Sequence, residues 1–126
     1  MTVSVSCLCG GVRFTLATTV GEITGCHCTQ CRKTSGHYAA SFDVTCEPVY
    51  TARATLAEYV TPKGASRGFC NACGSSLWFR NADGALSVEA GAVDGATGAQ
   101  MTGHIFVADK GDYYALADGL VQAEGW

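Results

Sequence analysis

The sequence predicts an all-β domain, and three observations lead to that prediction. Short apolar runs alternate with polar residues at period two, as half-buried strands do. Turn residues separate these runs at short intervals, since the 126 residues include sixteen glycines and two prolines. No segment has the apolar spacing of a long helix. Short strands separated by frequent turns are typical of a sandwich or a barrel-like sheet.

The strands can be placed in order from their alternation and from the turns between them. Gly10 and Gly11 separate the first two runs, and Pro48 precedes the fifth. The only helix that the pattern supports is one or two turns at residues 29–34, ended by Gly36. Glycines interrupt residues 92–100, which we interpret as a turn or a frayed helix. The predicted strands or strand-like segments are 3–5, 12–16, 21–25, 38–44, 49–51, 56–60, 68–69, 77–79, 86–90 and 104–107.

Length and composition describe one globular domain across residues 1–126. With 48% hydrophobic and 15% charged residues, the chain has enough apolar side chain to bury a core. The formal net charge of −3 argues against a nucleic-acid partner, which would require a positive surface. The first residues do not resemble a signal peptide, and no apolar run approaches the roughly 20 residues of a membrane span. We therefore expect a soluble, cytoplasmic protein without a membrane partner.

Eight cysteines are the most informative feature of the composition. Clustered thiols in a reducing cytoplasm are metal ligands or reactive groups more often than disulfides. The pairs Cys7-x-Cys9 and Cys70-x2-Cys73 together supply four thiolates for a closed, structural zinc site, and a glycine follows each pair. The alternatives are buried core thiols and a redox-active Cys-x2-Cys motif. The redox motif requires a helix after its first cysteine, whereas a strand is predicted here.

Cys26, Cys28 and Cys31 form a group of three without a fourth partner. Three protein ligands leave one position open for water or substrate, which is the arrangement of catalytic zinc. His27 lies between two of these ligands, and its side chain would point away from them in an extended segment. We therefore interpret it as a packing or hydrogen-bonding residue rather than as a ligand. An iron–sulfur cluster is the competing interpretation, and only Cys46 is spare as its fourth ligand.

Basic and small polar residues directly follow the three cysteines. A basic pair such as Arg32 and Lys33 is ordinarily just solvated, but beside thiolates it offsets negative charge and could hold a substrate carboxylate. We predict substrate contacts from Arg32, Lys33, Ser35 and Gly36. The isolated histidines, His37 and His104, are expected to have hydrogen-bonded structural roles. Tyr113, Tyr114 and Trp126 would either cap a sheet or line a pocket.

Three cysteine motifs together resemble the glutathione-dependent formaldehyde-activating enzyme family, which also includes centromere protein V. The segment 104–120 is similar to the carboxyl-terminal part of that family. The resemblance therefore covers nearly the whole chain. The motifs are Cys-Leu-Cys-Gly at 7–10, Cys-His-Cys-Thr-Gln-Cys-Arg-Lys-Thr-Ser-Gly at 26–36, and Gly-Phe-Cys-Asn-Ala-Cys-Gly-Ser at 68–75.

The resemblance implies a β-tent fold of packed antiparallel sheets around a structural zinc. It implies that Cys7, Cys9, Cys70 and Cys73 hold this zinc, and that Cys26, Cys28 and Cys31 hold a second, active-site zinc. It also implies condensation of formaldehyde with glutathione to S-hydroxymethylglutathione, which is a carbon–sulfur lyase reaction in reverse.

Our functional hypothesis is a zinc-dependent carbon–sulfur lyase that acts on a small thiol such as glutathione and its aldehyde adduct. Three anionic ligands reduce the Lewis acidity of a metal, which favours binding and positioning of the thiol over activation of the carbonyl. The alternatives are a non-catalytic zinc-binding module and a glutathione or zinc carrier.

Overall fold

The computed structural model describes residues 1–126 and confirms the all-β prediction. It contains one short helix, α1 (Thr29–Ser35), and two single 3-10 turns. The helix is too short to span a membrane, and no other helix of the structure could do so. The strands are β1 (Val3–Ser6), β2 (Val12–Leu16), β3 (Ile23–Cys26), β4 (Ala39–Val44), β5 (Val49–Arg53), β6 (Leu56–Val60), β7 (Ser66–Cys70), β8 (Ser76–Arg80), β9 (Leu86–Glu89), β10 (Met101–Ile105) and β11 (Val121–Gln122).

The smaller sheet contains three antiparallel strands in the order β1-β2-β5. Its central strand has the predicted alternation, because Val12, Phe14 and Leu16 are fully buried while Arg13 is exposed. A tight turn joins β1 to β2 and contains the first cysteine pair. The sheet therefore presents one apolar face to the core and projects a cysteine turn from one end.

The larger sheet has eight strands in the order β11-β10-β3-β4-β9-β8-β7-β6. Most neighbours are antiparallel, but β10 runs parallel to both β3 and β11. The packed, mainly antiparallel sheets therefore agree with the predicted fold, and this end of the larger sheet is mixed. The reason is that the chain leaves β9 through an irregular crossover at residues 93–100 and returns alongside β3 in the same direction.

One apolar core takes side chains from both sheets. Phe14 of the smaller sheet belongs to the same buried cluster as Phe42 and Leu77 of the larger one. Cys7 and Cys70 are also members of this cluster, with 4% and 0% of their surfaces exposed. The first and third cysteine motifs thus meet at the edge of the core, where the two sheets are joined.

Helix α1 lies where the sequence predicts it. Cys28 is its N-cap, with an extended backbone and a sulfur that accepts from the amide of Cys31, and Gly36 ends it in the left-handed conformation at φ 80°. The strand predicted at 104–107 begins and ends earlier than expected, since it spans Met101–Ile105. It ends at Ile105, because Phe106 adopts a left-handed backbone at φ 55°, the only positive φ of a non-glycine residue.

Candidate metal centres and active site

Four sulfurs from two distant turns form the first cluster. The Sγ atoms of Cys7, Cys9, Cys70 and Cys73 all lie within 4.8 Å of one another. The Cys7–Cys9 and Cys9–Cys70 sulfur pairs are each 3.7 Å apart. Tetrahedral zinc with bonds of roughly 2.3 Å would place its sulfur ligands about 3.8 Å apart, so the cluster fits a closed four-thiolate zinc site.

Backbone amides point at these sulfurs from both turns. The amide of Val12 donates to Cys7 Sγ at 3.2 Å, and that of Ala72 to Cys70 Sγ at 3.4 Å. Such donors stabilise thiolates over thiols. The effect is visible at Cys73, where the Ser75 hydroxyl at 3.3 Å and nearby backbone amides lower the pKa of the thiol to about 5.

A glycine closes each of the two cysteine turns. The amide of Gly10 donates to the carbonyl of Cys7 at 3.2 Å, and the amide of Gly74 donates to the carbonyl of Cys70 at 2.8 Å. Both glycines have φ 80°, which a residue with a Cβ rarely adopts. Each motif therefore forms a tight turn that depends on its glycine. One turn belongs to each sheet, so a metal held between them would bind the sheets together.

The second cluster contains three sulfurs. Cys26 ends β3, Cys28 caps α1 and Cys31 lies in the first turn of that helix, and their Sγ atoms also lie within 4.8 Å of one another. No other cysteine, histidine or carboxylate belongs to the cluster. Cys46 is elsewhere, as a partly buried thiol packed against the core. The donor set suits zinc with one open position and lacks the fourth thiolate of an iron–sulfur cluster.

The three thiols behave as one ionisable set. Hydrogen bonds from the side chains of Cys26 and Cys31 lower the pKa of the Cys28 thiol to about 2. Bonding to Cys28 and Cys31, together with burial, raises the pKa of Cys26. One thiolate is thus stabilised by two neighbouring thiols. A divalent cation at this position would replace their protons and would be bound by three thiolates.

A cavity of about 570 Å³ opens beside the three-sulfur cluster. This volume is in the range typical of small-molecule sites. Its walls come from alternate positions on adjacent strands of the larger sheet, from the start of α1 and from the end of the chain. The lining includes all three clustered cysteines and none of the four-sulfur set. The other lining residues are Glu22, Thr24, Thr29, Gln30, Ala39, Ser41, Asp43, Lys63, Arg67, Phe79, Asn81, Ser87, Glu89, Ile105, Phe106, Asp109 and Trp126.

Arg67 is a basic residue in contact with the three-sulfur cluster. Its Nη2 lies 3.7 Å from Cys31 Sγ, and its Nε donates to Gln30 Oε1 at 3.0 Å. The guanidinium carbon also lies 4.7 Å from the ring centroid of Phe79. These contacts hold a fixed positive charge against one thiolate of the cluster and at the wall of the cavity.

Glu89 is the carboxyl group whose pKa is most strongly perturbed. Burial raises this pKa to about 7, and the nearby positive charge of Arg67 offsets the rise only in part. No hydrogen bond stabilises the carboxylate form. The group can therefore gain and lose a proton near neutral pH within the same cavity as the three sulfurs.

The predicted substrate contacts have other positions. None of Arg32, Lys33, Ser35 and Gly36 lines the cavity. The Ser35 hydroxyl donates to the carbonyl of Cys31 at 2.7 Å, and Gly36 is the C-cap, so these two residues complete the end of α1. Arg67 and Lys63 are the basic residues in the lining. Sequence reasoning missed Arg67 and Glu89. The only available signals were a charged residue within the predicted strand 86–90, for Glu89, and a charged residue directly before the predicted segment 68–69, for Arg67.

A buried histidine pair lies behind the three-sulfur cluster. His27 and His104 have 0% and 1% of their surfaces exposed. His27 Nε2 lies 2.9 Å from His104 Nδ1, His27 Nδ1 lies 2.5 Å from the Tyr114 hydroxyl, and His104 Nε2 lies 2.7 Å from Asp118 Oδ2. Burial, together with the charge of the second histidine, lowers the pKa of His27 to about 4. The expectation that His27 is a hydrogen-bonding residue is consistent with this geometry.

The comparison with known families agrees with this arrangement. The sequence model described as glutathione-dependent formaldehyde-activating enzyme matches residues 2–109. The chain belongs to this family. An uncharacterized lyase of Schizosaccharomyces pombe is 24% identical over 115 residues, covering 90% of this chain and 84% of the yeast protein. A crystal structure of a Rhodobacter sphaeroides protein has a similar fold, with a TM-score of 0.58 and 22% identity, over 78% of this chain and 92% of that one.

The family match includes every clustered cysteine as well as Arg67 and Glu89 of the cavity. The last 17 residues of the chain lie beyond the matched range of 2–109. These residues include Tyr114 and Asp118 of the buried network and Trp126 of the cavity wall. In this member of the formaldehyde-activating family, the carboxyl-terminal segment therefore contributes to the surroundings of the site.

The two clusters should respond differently to loss of one sulfur. Cys70→Ser should lower the free energy of unfolding by more than about 3 kcal/mol, because a closed site loses a ligand and its binding energy is folding energy. Cys28→Ser should cost less than about 1 kcal/mol, since serine still caps α1, but it should remove the second zinc. Urea denaturation with zinc analysis tests both, with Cys46→Ser as the control. Equal destabilisation by the first two variants would contradict the division.

Glu89 should make stability depend on pH in a specific direction. Its pKa rises from 4.5 in the unfolded chain to about 7 in the fold, so the native state binds more protons between these values. Stability is therefore lost as pH rises through this window, by up to about 3 kcal/mol. Glu89→Gln should be more stable than the wild type at pH 8, and this difference should shrink at pH 5. Thermal denaturation of both proteins at the two pH values measures it. A constant difference would contradict the pKa assignment.

Proposed function

We propose that the protein is a zinc-dependent carbon–sulfur lyase that forms and cleaves the adduct of a small thiol, such as glutathione, with a small aldehyde. The observation that carries the proposal is the set of three sulfurs without a fourth ligand at the wall of a cavity of about 570 Å³. Family membership supports glutathione and formaldehyde as the substrate pair. The lyase name of the yeast relative supports the reaction class.

In this proposal each of the two clusters holds one zinc ion. Cys7, Cys9, Cys70 and Cys73 hold the structural ion, and Cys26, Cys28 and Cys31 hold the active-site ion. A zinc ion held by three thiolates would have one open position and would favour the thiolate form of a substrate sulfur at neutral pH. The Arg67 guanidinium beside Cys31 supplies a second positive charge, which favours the accumulation of anionic sulfur at this end of the cavity.

The charges of the cavity suit a peptide thiol. Glutathione carries two carboxylates and one ammonium group at neutral pH. Arg67 and Lys63 are the cations available for its carboxylates, and Glu22, Asp43 and Asp109 are available for its ammonium group. The pairing of Arg67 with Gln30 and Phe79 leaves its guanidinium in a fixed orientation, as a carboxylate clamp requires.

Glu89 is the proposed proton carrier. Its carboxylate takes the proton that the thiol releases. The thiolate then attacks the aldehyde carbon, the carbon–sulfur bond forms, and the carbonyl π electrons move to the oxygen. Glu89 returns the proton to that oxygen and gives the hydroxymethyl thioether, so no other reactant is needed. A carboxyl group with a pKa of about 7 can accept the proton from the thiol and donate it to the oxygen at neutral pH. Cleavage follows the same steps in reverse.

Carbon-13 exchange spectroscopy with labelled formaldehyde and glutathione tests the proposal. The wild type should accelerate exchange between free aldehyde and adduct, and Cys28→Ser should abolish that acceleration. Arg67→Met should weaken glutathione binding about 10-fold or more. It should reduce the use of 2-mercaptoethanol, which has no carboxylate, to a smaller extent, because only the positive charge beside the sulfur is lost. Arg53→Met, an exposed arginine on the smaller sheet, is the matched control. Binding of glutathione without faster exchange would favour the carrier alternative and contradict the lyase.

A further inference from the structure

We propose that Tyr114 and Asp118, acting through the His104–His27 pair, are positioning residues for the three-cysteine metal centre. The inference rests on the metal assignment of the proposed function but does not depend on the identity of the substrate. It gives the carboxyl-terminal segment, beyond the matched range of 2–109, a defined role in orienting Cys26 and Cys28.

Elimination fixes the direction of the hydrogen bonds in this network. Asp118 is the outermost group, and its carboxylate can only accept, so His104 Nε2 donates to it at 2.7 Å. When each ring carries one proton, His104 accepts at Nδ1 from His27 Nε2, and His27 accepts at Nδ1 from the Tyr114 hydroxyl. In the reverse direction, an unprotonated His104 nitrogen would face the Asp118 carboxylate. The forward direction gives every ring nitrogen a partner with one proton on each ring.

The network reaches the metal centre through the backbone of one residue. His27 lies between Cys26 and Cys28, and its amide donates to the carbonyl of Ile105 at 3.0 Å. Its ring is fully buried on the side away from the cavity, while the sulfurs of both neighbours line the cavity. Successive side chains of an extended segment point in opposite directions. Fixing the His27 ring at both nitrogens therefore fixes the direction of the two flanking sulfurs.

The carboxyl-terminal segment, which supplies Tyr114 and Asp118, is also attached to the domain by contacts outside this network. The amide of Phe106 donates to the carbonyl of Gly125 at 2.8 Å, and β11 pairs with β10. Trp126 packs edge-on against Phe106 with centroids 5.5 Å apart, and both rings line the cavity. The carboxyl-terminal segment thus forms part of the cavity wall and also supplies the hydrogen bonds that fix the buried histidine pair behind the three-sulfur cluster.

Two adjacent tyrosines provide a matched test. Tyr114→Phe removes only the hydroxyl that donates to His27, whereas Tyr113→Phe removes an exposed hydroxyl that donates to the carbonyl of Gly36. Zinc release to a chromogenic chelator should be biphasic, with a fast phase from the three-cysteine centre and a slow phase from the four-cysteine centre. Tyr114→Phe should accelerate the fast phase about 10-fold and leave the slow phase unchanged. Tyr113→Phe should change neither phase.

Variants of Asp118 provide a second test. Asp118→Ala should accelerate the fast phase as Tyr114→Phe does. Asp118→Asn should leave the rate of the fast phase close to that of the wild type, because the amide oxygen still accepts from His104. Acceleration of both phases together with a lowered Tm would indicate a merely structural role and overturn the inference. Equal effects of the two tyrosine variants, or a wild type without a fast phase, would also overturn it. Selective acceleration in a protein without lyase activity would sustain the inference and refute the proposed function.

Discussion

The meeting of two cysteine turns at one point is the constraint on which the rest of the structure depends. One turn joins β1 to β2 in the smaller sheet, and the other joins β7 to β8 in the larger sheet. Cys9 and Cys70 are 61 residues apart in sequence, and their sulfurs are 3.7 Å apart. Zinc at this point would fasten the two sheets together at the edge of their shared core. A domain of this size has a limited core, and a metal crosslink between its sheets adds stability that burial alone does not provide.

Strand β7 connects this structural cluster to the cavity. Cys70 at its end belongs to the four-sulfur cluster, while Arg67, three residues earlier, contacts Cys31 of the three-sulfur cluster. A zinc ion in the four-sulfur cluster would hold the end of this strand and, through it, the position of the Arg67 guanidinium beside the three-sulfur cluster. A second support comes from the buried histidine pair on the opposite side of the cysteine turn. Arg67 thus contacts the three-sulfur cluster on the side of the cavity, and His27 supports the cysteine turn on the opposite, buried side.

The sequence alone predicted the parts of this arrangement that are local. The cysteine spacings predicted the three-sulfur cluster and each pair of the four-sulfur cluster, and the period-two alternation predicted the strands, because each pattern spans only a few positions. The two distant pairs could be combined because a closed zinc site requires four ligands. Arg67, Glu89 and the pairing of His27 with His104 depend instead on sheet order and register. The parallel pairing of β10 with β3, which places the two histidines side by side, follows a long crossover and leaves no local signal. Sequence proximity alone suggested substrate contacts from Arg32 and Lys33, which are not among the residues that line the cavity.

Zinc K-edge X-ray absorption of the fully loaded protein, with and without glutathione, tests the central claim that one cluster is closed and the other is open. Two zinc ions bound by the seven clustered cysteines should give an average sulfur coordination between three and four, with bonds of about 2.3 Å. Glutathione should raise the average to four by adding one sulfur at the open cluster. One zinc per chain with four sulfurs, unchanged by glutathione, would contradict the account and leave the three-cysteine cluster without a metal.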